Sequence, residues 1–109
     1  MQQAGCGGTP ESLYAELWIS LASLLRSYTA LHGLSGSCQA TVEADDERIL
    51  ASHANRWLKL TRTGAAILWE QSGGVRGELE MTEAGRLRGA SGEEEMDMAA
   101  ETWARELMQ

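Results

Sequence analysis

The chain has 109 residues, the size of one domain, and it is 43% hydrophobic and 23% charged. No apolar run approaches the ~20 residues of a membrane-spanning helix. Nine Lys and Arg against sixteen Asp and Glu give a net charge of −7. This balance argues against nucleic acid and anionic membranes as partners, because phosphate binding needs a positive field.

The chain begins with a polar, glycine-rich stretch, MQQAGCGG, and we expect a disordered tail at 1–8. Residues 9–109 then form a single domain. The first residues have neither the basic nor the apolar region of a secretory signal. The two cysteines, Cys6 and Cys38, make no disulfide framework. A reduced, cytoplasmic protein is therefore predicted.

A helix is predicted over about 10–32. Thr9 suits an N-cap, Pro10 suits the first helical position and Gly33 suits a left-handed C-cap. Apolar residues recur at steps of three or four: Leu13, Leu17, Leu21, Leu24, Leu25, Tyr28 and Leu31. Trp18, Ile19 and Ala22 broaden this surface, so the helix is either deeply buried or covered by a partner.

Alternating polar and apolar residues predict strands from residue 38 onward. The first two, 38–44 and 47–53, form a hairpin around a two-residue Asp45-Asp46 turn. The expected cross-strand pairs join apolar to apolar and charge to charge: Glu43 with Arg48, Val42 with Ile49, Ala40 with Ala51, and Cys38 with His53.

The alternation continues through 56–62, 65–70 and 75–82, with a short edge at 86–88. Turn residues recur every ten or so positions, which is typical of an antiparallel meander, here predicted with four to five strands.

A last helix is predicted from Ser91, which has capping-box spacing to Glu94. Its apolar stripe is continuous: Met96, Ala99, Ala100, Trp103, Leu107 and Met108. The predicted fold class is thus α+β, with an N-terminal helix, the meander and a C-terminal helix. Both helices pack on one sheet face, and Trp18 and Trp103 form their joint core.

The charge is segregated along the chain. Residues 48–76 carry +4, whereas 38–47 carry −4 and 77–109 carry −6. One interpretation is neutralisation between adjacent strands; the other is a patch that binds an anion or an acidic partner.

Trp57, Lys59 and Arg62 are the candidate residues for such a patch. If Leu58 and Leu60 face the helices, Trp57 and Lys59 face away, on the open side of the sheet. An exposed Trp beside basic residues could stack a ring or anchor a protein partner. Alternatively, Trp57 lies flat on the sheet against Leu68. Ile19 on the first helix is a further candidate for partner contact.

Reactive constellations are scarce. Asp45 and Asp46 lack the spacing of a calcium loop and suit a hairpin turn better. His32 suits the C-terminal end of the first helix. Cys38 and His53 would form a nucleophilic couple if they paired, but a packed core pair is commoner. Nucleotide-binding and hydrolase fingerprints are absent, and no cofactor or metal is predicted.

The order of helix, antiparallel meander and helix, with an acidic balance, is similar in outline to frataxin. The resemblance covers most of the chain and implies a metal or small-ligand carrier. In that family, acidic residues of the first helix and first edge strand handle iron, whereas the first helix here offers Glu11 and Glu16. The small acidic secretion chaperones are also similar in size and charge; they combine helices with a curved sheet and dimerise.

Three functional hypotheses follow. The first is a non-catalytic binding or adaptor module that holds a protein partner or self-associates as a homodimer. The second is a small-ligand or metal carrier of frataxin-like outline. The third is an enzyme that uses Cys38 and His53.

Overall fold

The computed structural model describes residues 10–32, 40–90 and 92–108. The predicted tail at 1–8, the cap at Gly33, and both cysteines lie outside these ranges. The elements follow in chain order: α1 (Pro10–His32), β1 (Thr41–Ala44), β2 (Arg48–His53), β3 (Arg56–Thr63), β4 (Ala66–Gln71), β5 (Arg76–Met81), β6 (Arg86–Gly89), β7 (Gly92–Glu95) and α2 (Met96–Leu107).

The strands form one antiparallel sheet in which each strand pairs with its neighbour in sequence, in the order β1 to β7. The predicted α+β class is therefore confirmed, and so is the first helix. The described part of the sheet has seven strands rather than four to five. Each alternating segment forms a strand of its own, and Gly92–Glu95 adds another.

The β7 strand occupies residues that were expected to begin the last helix. Glu93, Glu94 and Glu95 pair with β6, and Glu93 and Glu95 lie opposite Arg88 and Arg86. Opposite charges facing each other across strands stabilise this pairing. The helix therefore begins at Met96, with Glu95 at the N-cap and no side-chain cap hydrogen bond. The predicted Ser91 start is wrong.

The first hairpin is two residues out of the predicted register. Val42 lies opposite Ala51 and Glu43 opposite Leu50. Asp45 explains the shift: its Oδ1 accepts hydrogen bonds from the backbone N–H groups of Glu47 and Arg48 at 2.9 and 2.8 Å. The turn is thereby longer than two residues, and a shift of two leaves every side chain on its predicted face.

The core lies between the two helices and one face of the sheet. Apolar side chains of both layers are fully buried: Trp18, Leu21 and Leu25 from α1; Ile49, Leu60, Ile67, Met81 and Leu87 from the sheet. Trp103 of α2 is 8% exposed, so the predicted burial of both helical tryptophans is confirmed.

Two polar contacts fix α1 in place. The Trp18 indole Nε1–H donates to the Asp45 carbonyl oxygen at 2.8 Å, which ties the helix to the β1–β2 turn. Near the other end, the Tyr28 hydroxyl donates to the Asp97 carboxylate at the start of α2. Among the described residues, no helix is long and apolar enough to cross a membrane.

A contact between two tryptophan rings, Trp69 of β4 and Trp103 of α2, joins the sheet to the second helix. The Trp69 and Trp103 ring centroids lie 6.4 Å apart, with the ring planes tilted by 53°. Gly77, which is opposite Trp69 on β5, makes room for the indole. A Cβ added at Gly77 would lie 2.8 Å from the Trp69 ring.

Candidate functional site

The sheet face that the helices leave uncovered is the candidate site. Strand residues alternate between two faces, and the fully buried positions of β2 to β4, such as Ile49, Leu60 and Ile67, all lie on the helix side. Their neighbours in sequence therefore point to the other side. We call this other side the open face.

Charged residues of both signs are interleaved across the open face in cross-strand rows. One row runs from β1 to β5: Glu43, Leu50, Lys59, Glu70 and Arg76. The next runs from β2 to β5: Arg48, Thr61, Leu68 and Glu78. A third runs from β4 to β7: Ala66, Glu80, Arg88 and Glu93.

The third row is held by ion pairs near the β7 edge. The Arg88 guanidinium donates to Glu80, and this contact raises the pKa of Arg88. Arg86 Nε lies 3.6 Å from Glu93 Oε1. Both pairs are about half exposed, so each contributes little to stability. Their main effect is to neutralise this end of the face.

Three large apolar side chains stand exposed among the charges. Leu68 is 54% exposed, and Leu50 and Trp57 are each 36% exposed. They lie on three adjacent strands, β4, β2 and β3. Leu50 and Trp57 are diagonal neighbours across β2 and β3, whereas Leu68 lies opposite Thr61 on the other side of β3.

A shallow groove of about 610 Å³ crosses the open face between β3 and β5. Its lining includes Lys59, Thr61, Leu68, Glu70 and Arg76. The groove thus places the apolar Leu68 among two cations, Lys59 and Arg76, and two anions, Glu70 and Glu78.

The structure separates the four residues that the sequence suggested for partner contact. Trp57 and Lys59 lie on the open face, as predicted. Ile19 is 62% exposed but belongs to the helical layer. Trp57 lies opposite Ser52 on β2, whereas Leu68 lies opposite Thr61, four residues further along β3. This register does not place Trp57 against Leu68, which was the alternative interpretation.

Arg62 is not on the open face, so its predicted placement is wrong. It follows Leu58 and Leu60 at two-residue steps, lies on their side of the sheet, and is 8% exposed. Its Nε donates to the Asp46 carbonyl oxygen at 3.0 Å and its Nη1 to the Gly64 carbonyl oxygen at 3.1 Å. Arg62 therefore joins two turns at one end of the sheet.

Leu50 is the exposed apolar residue of the open face that the sequence interpretation missed, and Leu68 entered that interpretation only as a packing partner for Trp57. Strand alternation was the available signal. Leu50 follows the buried Ile49 and Leu68 follows the buried Ile67, so both leucines must point to the opposite face of the sheet.

The carboxylate of Asp45, in the turn between β1 and β2, binds backbone N–H groups of the same turn. The Asp45 carboxylate accepts two backbone N–H bonds, and these hold the pKa of Asp45 below its usual value. Within the described ranges, no group of three or more His, Cys, Asp and Glu is placed to hold a metal ion. His53 ends β2 opposite Arg56, and the register that would have paired it with Cys38 is the one corrected above.

A second groove, of about 510 Å³, lies at the end of the sheet beside the C-terminus of α2. Its polar groups bind one another: Arg56 donates to the Glu106 carbonyl oxygen at 2.9 Å, and the Gln71 amide donates to the Glu106 carboxylate at 3.0 Å. These contacts stabilise the end of the helix.

No protein-family model matches this chain, and the searches of curated proteins and of solved structures found no match either.

Proposed function

We propose that this chain is a non-catalytic binding module that holds a protein partner on its open face. The observation that carries the proposal is the exposure of Leu50, Trp57 and Leu68 on the adjacent strands β2, β3 and β4. Trp is enriched among residues that dominate binding energy at protein interfaces.

The charge pattern of the open face favours a protein over a nucleic acid. Five basic and six acidic residues share the described strand positions of this face: Arg48, Lys59, Arg76, Arg86 and Arg88, and Glu43, Glu70, Glu78, Glu80, Glu93 and Glu95. A phosphate backbone needs a surface of one positive sign. A protein surface that carries both signs can match the rows and gains specificity from them.

The carrier and enzyme alternatives have less support. A carrier needs free carboxylates, and Asp45 uses its own to close a turn. The enzyme hypothesis needs Cys38 close to His53, and the expected pairing of these residues came from a register that is two residues off.

The test compares two single variants, each of which replaces one exposed apolar residue with arginine. Leu68→Arg places a charge at the centre of the open face, and Ile19→Arg places one on the outer side of α1 as a matched control. Tagged protein is used to capture partners from the native organism, and mass spectrometry identifies them. We expect Leu68→Arg to lose a partner that wild type and Ile19→Arg retain, with equal thermal stability. Loss with Ile19→Arg but not with Leu68→Arg would move the site to α1.

Lys59→Glu separates partner binding from charge neutralisation within the sheet. Lys59 lies opposite Glu70 and beside Leu50 in its row. If Lys59 contacts the partner, Lys59→Glu slows association and reduces its salt dependence. If it only neutralises Glu70, the variant loses about 0.2–1 kcal/mol of stability and binds as before. Association kinetics at two ionic strengths and thermal unfolding are measured together.

A further inference from the structure

We infer that the open face pairs two copies of this chain around a two-fold axis parallel to the strands, between β3 and β4. The inference rests on the proposed function and names its partner, a second copy. Such an axis lays β3 of one copy over β4 of the other, and β2 over β5. A two-fold interface repeats each contact twice, so one complementary pair counts double.

The charges of the two middle rows complement each other under this operation. Lys59 of one copy faces Glu70 of the second copy, because the two residues are opposite each other on β3 and β4. Arg48 on β2 faces Glu78 on β5 of the second copy, because both belong to the row through Thr61 and Leu68. In these two rows Lys59 and Arg48 thus each meet a glutamate of the second copy, on both sides of the axis.

The apolar residues also find partners. Leu68 of one copy lies over Thr61 of the other, directly beside the axis. Leu50 lies over Arg76, whose aliphatic stem can cover it while the guanidinium stays in water. The exposed leucines are thereby removed from water.

The size of the face is adequate for such an interface. An axis between β3 and β4 lays β1 to β6 of the two copies over one another and leaves β7 outside the overlap. Six strands spaced ~4.8 Å apart are ~29 Å wide, and six residues at ~3.3 Å give strands ~20 Å long. The flat overlap of ~570 Å² per copy exceeds the ~500 Å² per partner that the smallest specific interfaces bury.

The pair of Arg48 and Glu78 supplies a contact that one copy cannot make alone. They lie three strand spacings apart in the same copy, about 14 Å. Any charge coupling between them at close range is therefore intermolecular, and this makes the pair the best place to test the axis.

The experiment is a charge exchange between two variants, Arg48→Glu and Glu78→Arg, measured by sedimentation velocity alone and mixed. In each homodimer both contacts become repulsive, so each variant alone should dissociate. In the mixed dimer Glu at position 48 faces Arg at position 78, and the wild-type residues complete the second contact. We expect the mixture to associate roughly tenfold more tightly than either variant alone.

Three results would overturn the inference. One is a wild-type chain that stays monomeric at high micromolar concentration. Another is a mixture that associates no better than its components. The third is a dimer that Leu68→Arg leaves intact. Since Arg48 adjoins the Asp45 turn, Glu78→Arg and Arg48→Glu are first compared with wild type by thermal unfolding.

Cysteine cross-linking gives a second measurement if Arg48→Glu does not fold. In a background of Cys6→Ser and Cys38→Ser, Arg48→Cys is mixed with Glu78→Cys and treated with a bifunctional thiol reagent that spans about 8 Å, because packed sheets lie ~10 Å apart and a direct disulfide needs a shorter separation. A cross-linked dimer of the two variants supports the axis, and its absence contradicts it. If self-association fails while Leu68→Arg still loses a captured partner, the proposed function stands and this inference falls. If both fail, the open face is not a binding surface.

Discussion

Asp45 illustrates how a single side chain determines the geometry of a hairpin. Its carboxylate accepts two backbone N–H bonds within the turn, while its carbonyl oxygen accepts the Trp18 indole N–H. One residue therefore sets the strand register and positions α1. Sequence alternation cannot detect this, because registers that differ by two residues bury the same faces.

The Asp45 carboxylate should make a pH-dependent contribution to stability. Because its pKa is lowered in the folded state, the ionised form stabilises the fold at pH values above the unfolded pKa of about 3.9. This contribution is lost as the pH falls through the folded pKa. We expect Asp45→Asn to lower the melting temperature near neutral pH, and the difference from wild type to shrink below about pH 4.

The neighbouring substitution Asp46→Asn is the control, because the contact that Arg62 makes with residue 46 uses the main-chain oxygen. Thermal unfolding of the three proteins across the acid range provides the measurement. A difference between wild type and Asp45→Asn that stays constant down to pH 2 would contradict the assigned role.

Gly77 shows that a missing side chain can be required by an aromatic neighbour. We expect Gly77→Ala to cost about 1–3 kcal/mol, because the added Cβ would meet the Trp69 ring at 2.8 Å and force it from its site. Gly73→Ala is the control, since nothing lies within 4 Å of its added Cβ. Denaturant unfolding gives the energies, and near-ultraviolet circular dichroism reports the Trp69–Trp103 contact. Equal effects of the two substitutions would contradict the packing described.

At the scale of elements, the start of α2 is set by sheet pairing rather than by helix signals. The glutamates before Met96 have good helix propensity, yet they pair with β6, where Arg86 and Arg88 lie opposite two of them. Helix propensity is worth a few tenths of a kcal/mol per residue, and tertiary pairing overrides it. The helix begins where pairing ends.

The uncapped start of α2 can be improved. Glu95 has the extended backbone of an N-cap, with φ −69° and ψ 143°, but no side-chain cap hydrogen bond. Asp is a preferred N-cap residue and keeps the charge opposite Arg86. We expect Glu95→Asp to raise stability by about 0.5–1 kcal/mol. Glu94→Asp, one residue outside the cap, should give no gain in the same denaturant titration.

Most of the elements could be predicted from the sequence, but the surfaces were harder to predict. The steps of three and four in α1, and the stripe that contains Trp103, required no tertiary information. Arg62 was misplaced because its charge suggested solvent, although its parity with Leu60 put it on the helix side. There it satisfies turn carbonyls that no pattern in the sequence reveals. The chemical identity of a partner is not encoded in periodicity at all.

At the scale of the whole molecule, the first and last elements, α1 and α2, pack against each other on one face of the meander. The meander pairs only neighbours in sequence, whereas α1 packs against α2 across nearly the full chain. The sheet would leave its apolar face exposed without this helical layer. The stability of the sheet therefore depends on how well α2 packs.

Trp103→Ala should test this dependence. Truncating a buried aromatic residue costs on the order of 3–5 kcal/mol, and Trp103 contacts Trp69 within the core. Met98→Ala is the matched control on the same helix, because Met98 is 52% exposed, and it should change stability by less than about 0.5 kcal/mol. Chemical denaturation measures both. A loss of under 1 kcal/mol for Trp103→Ala would mean that α2 is dispensable.

The acidic β7 edge has a consequence for aggregation. An edge strand presents unpaired backbone groups that can template pairing with another chain, and charged side chains discourage it. Three consecutive glutamates, Glu93 to Glu95, are exposed along this edge. Replacing all three by glutamine removes the repulsion between approaching edges. The triple variant Glu93→Gln, Glu94→Gln, Glu95→Gln should therefore form sheet-rich aggregates that extend from β7 while the core is still folded.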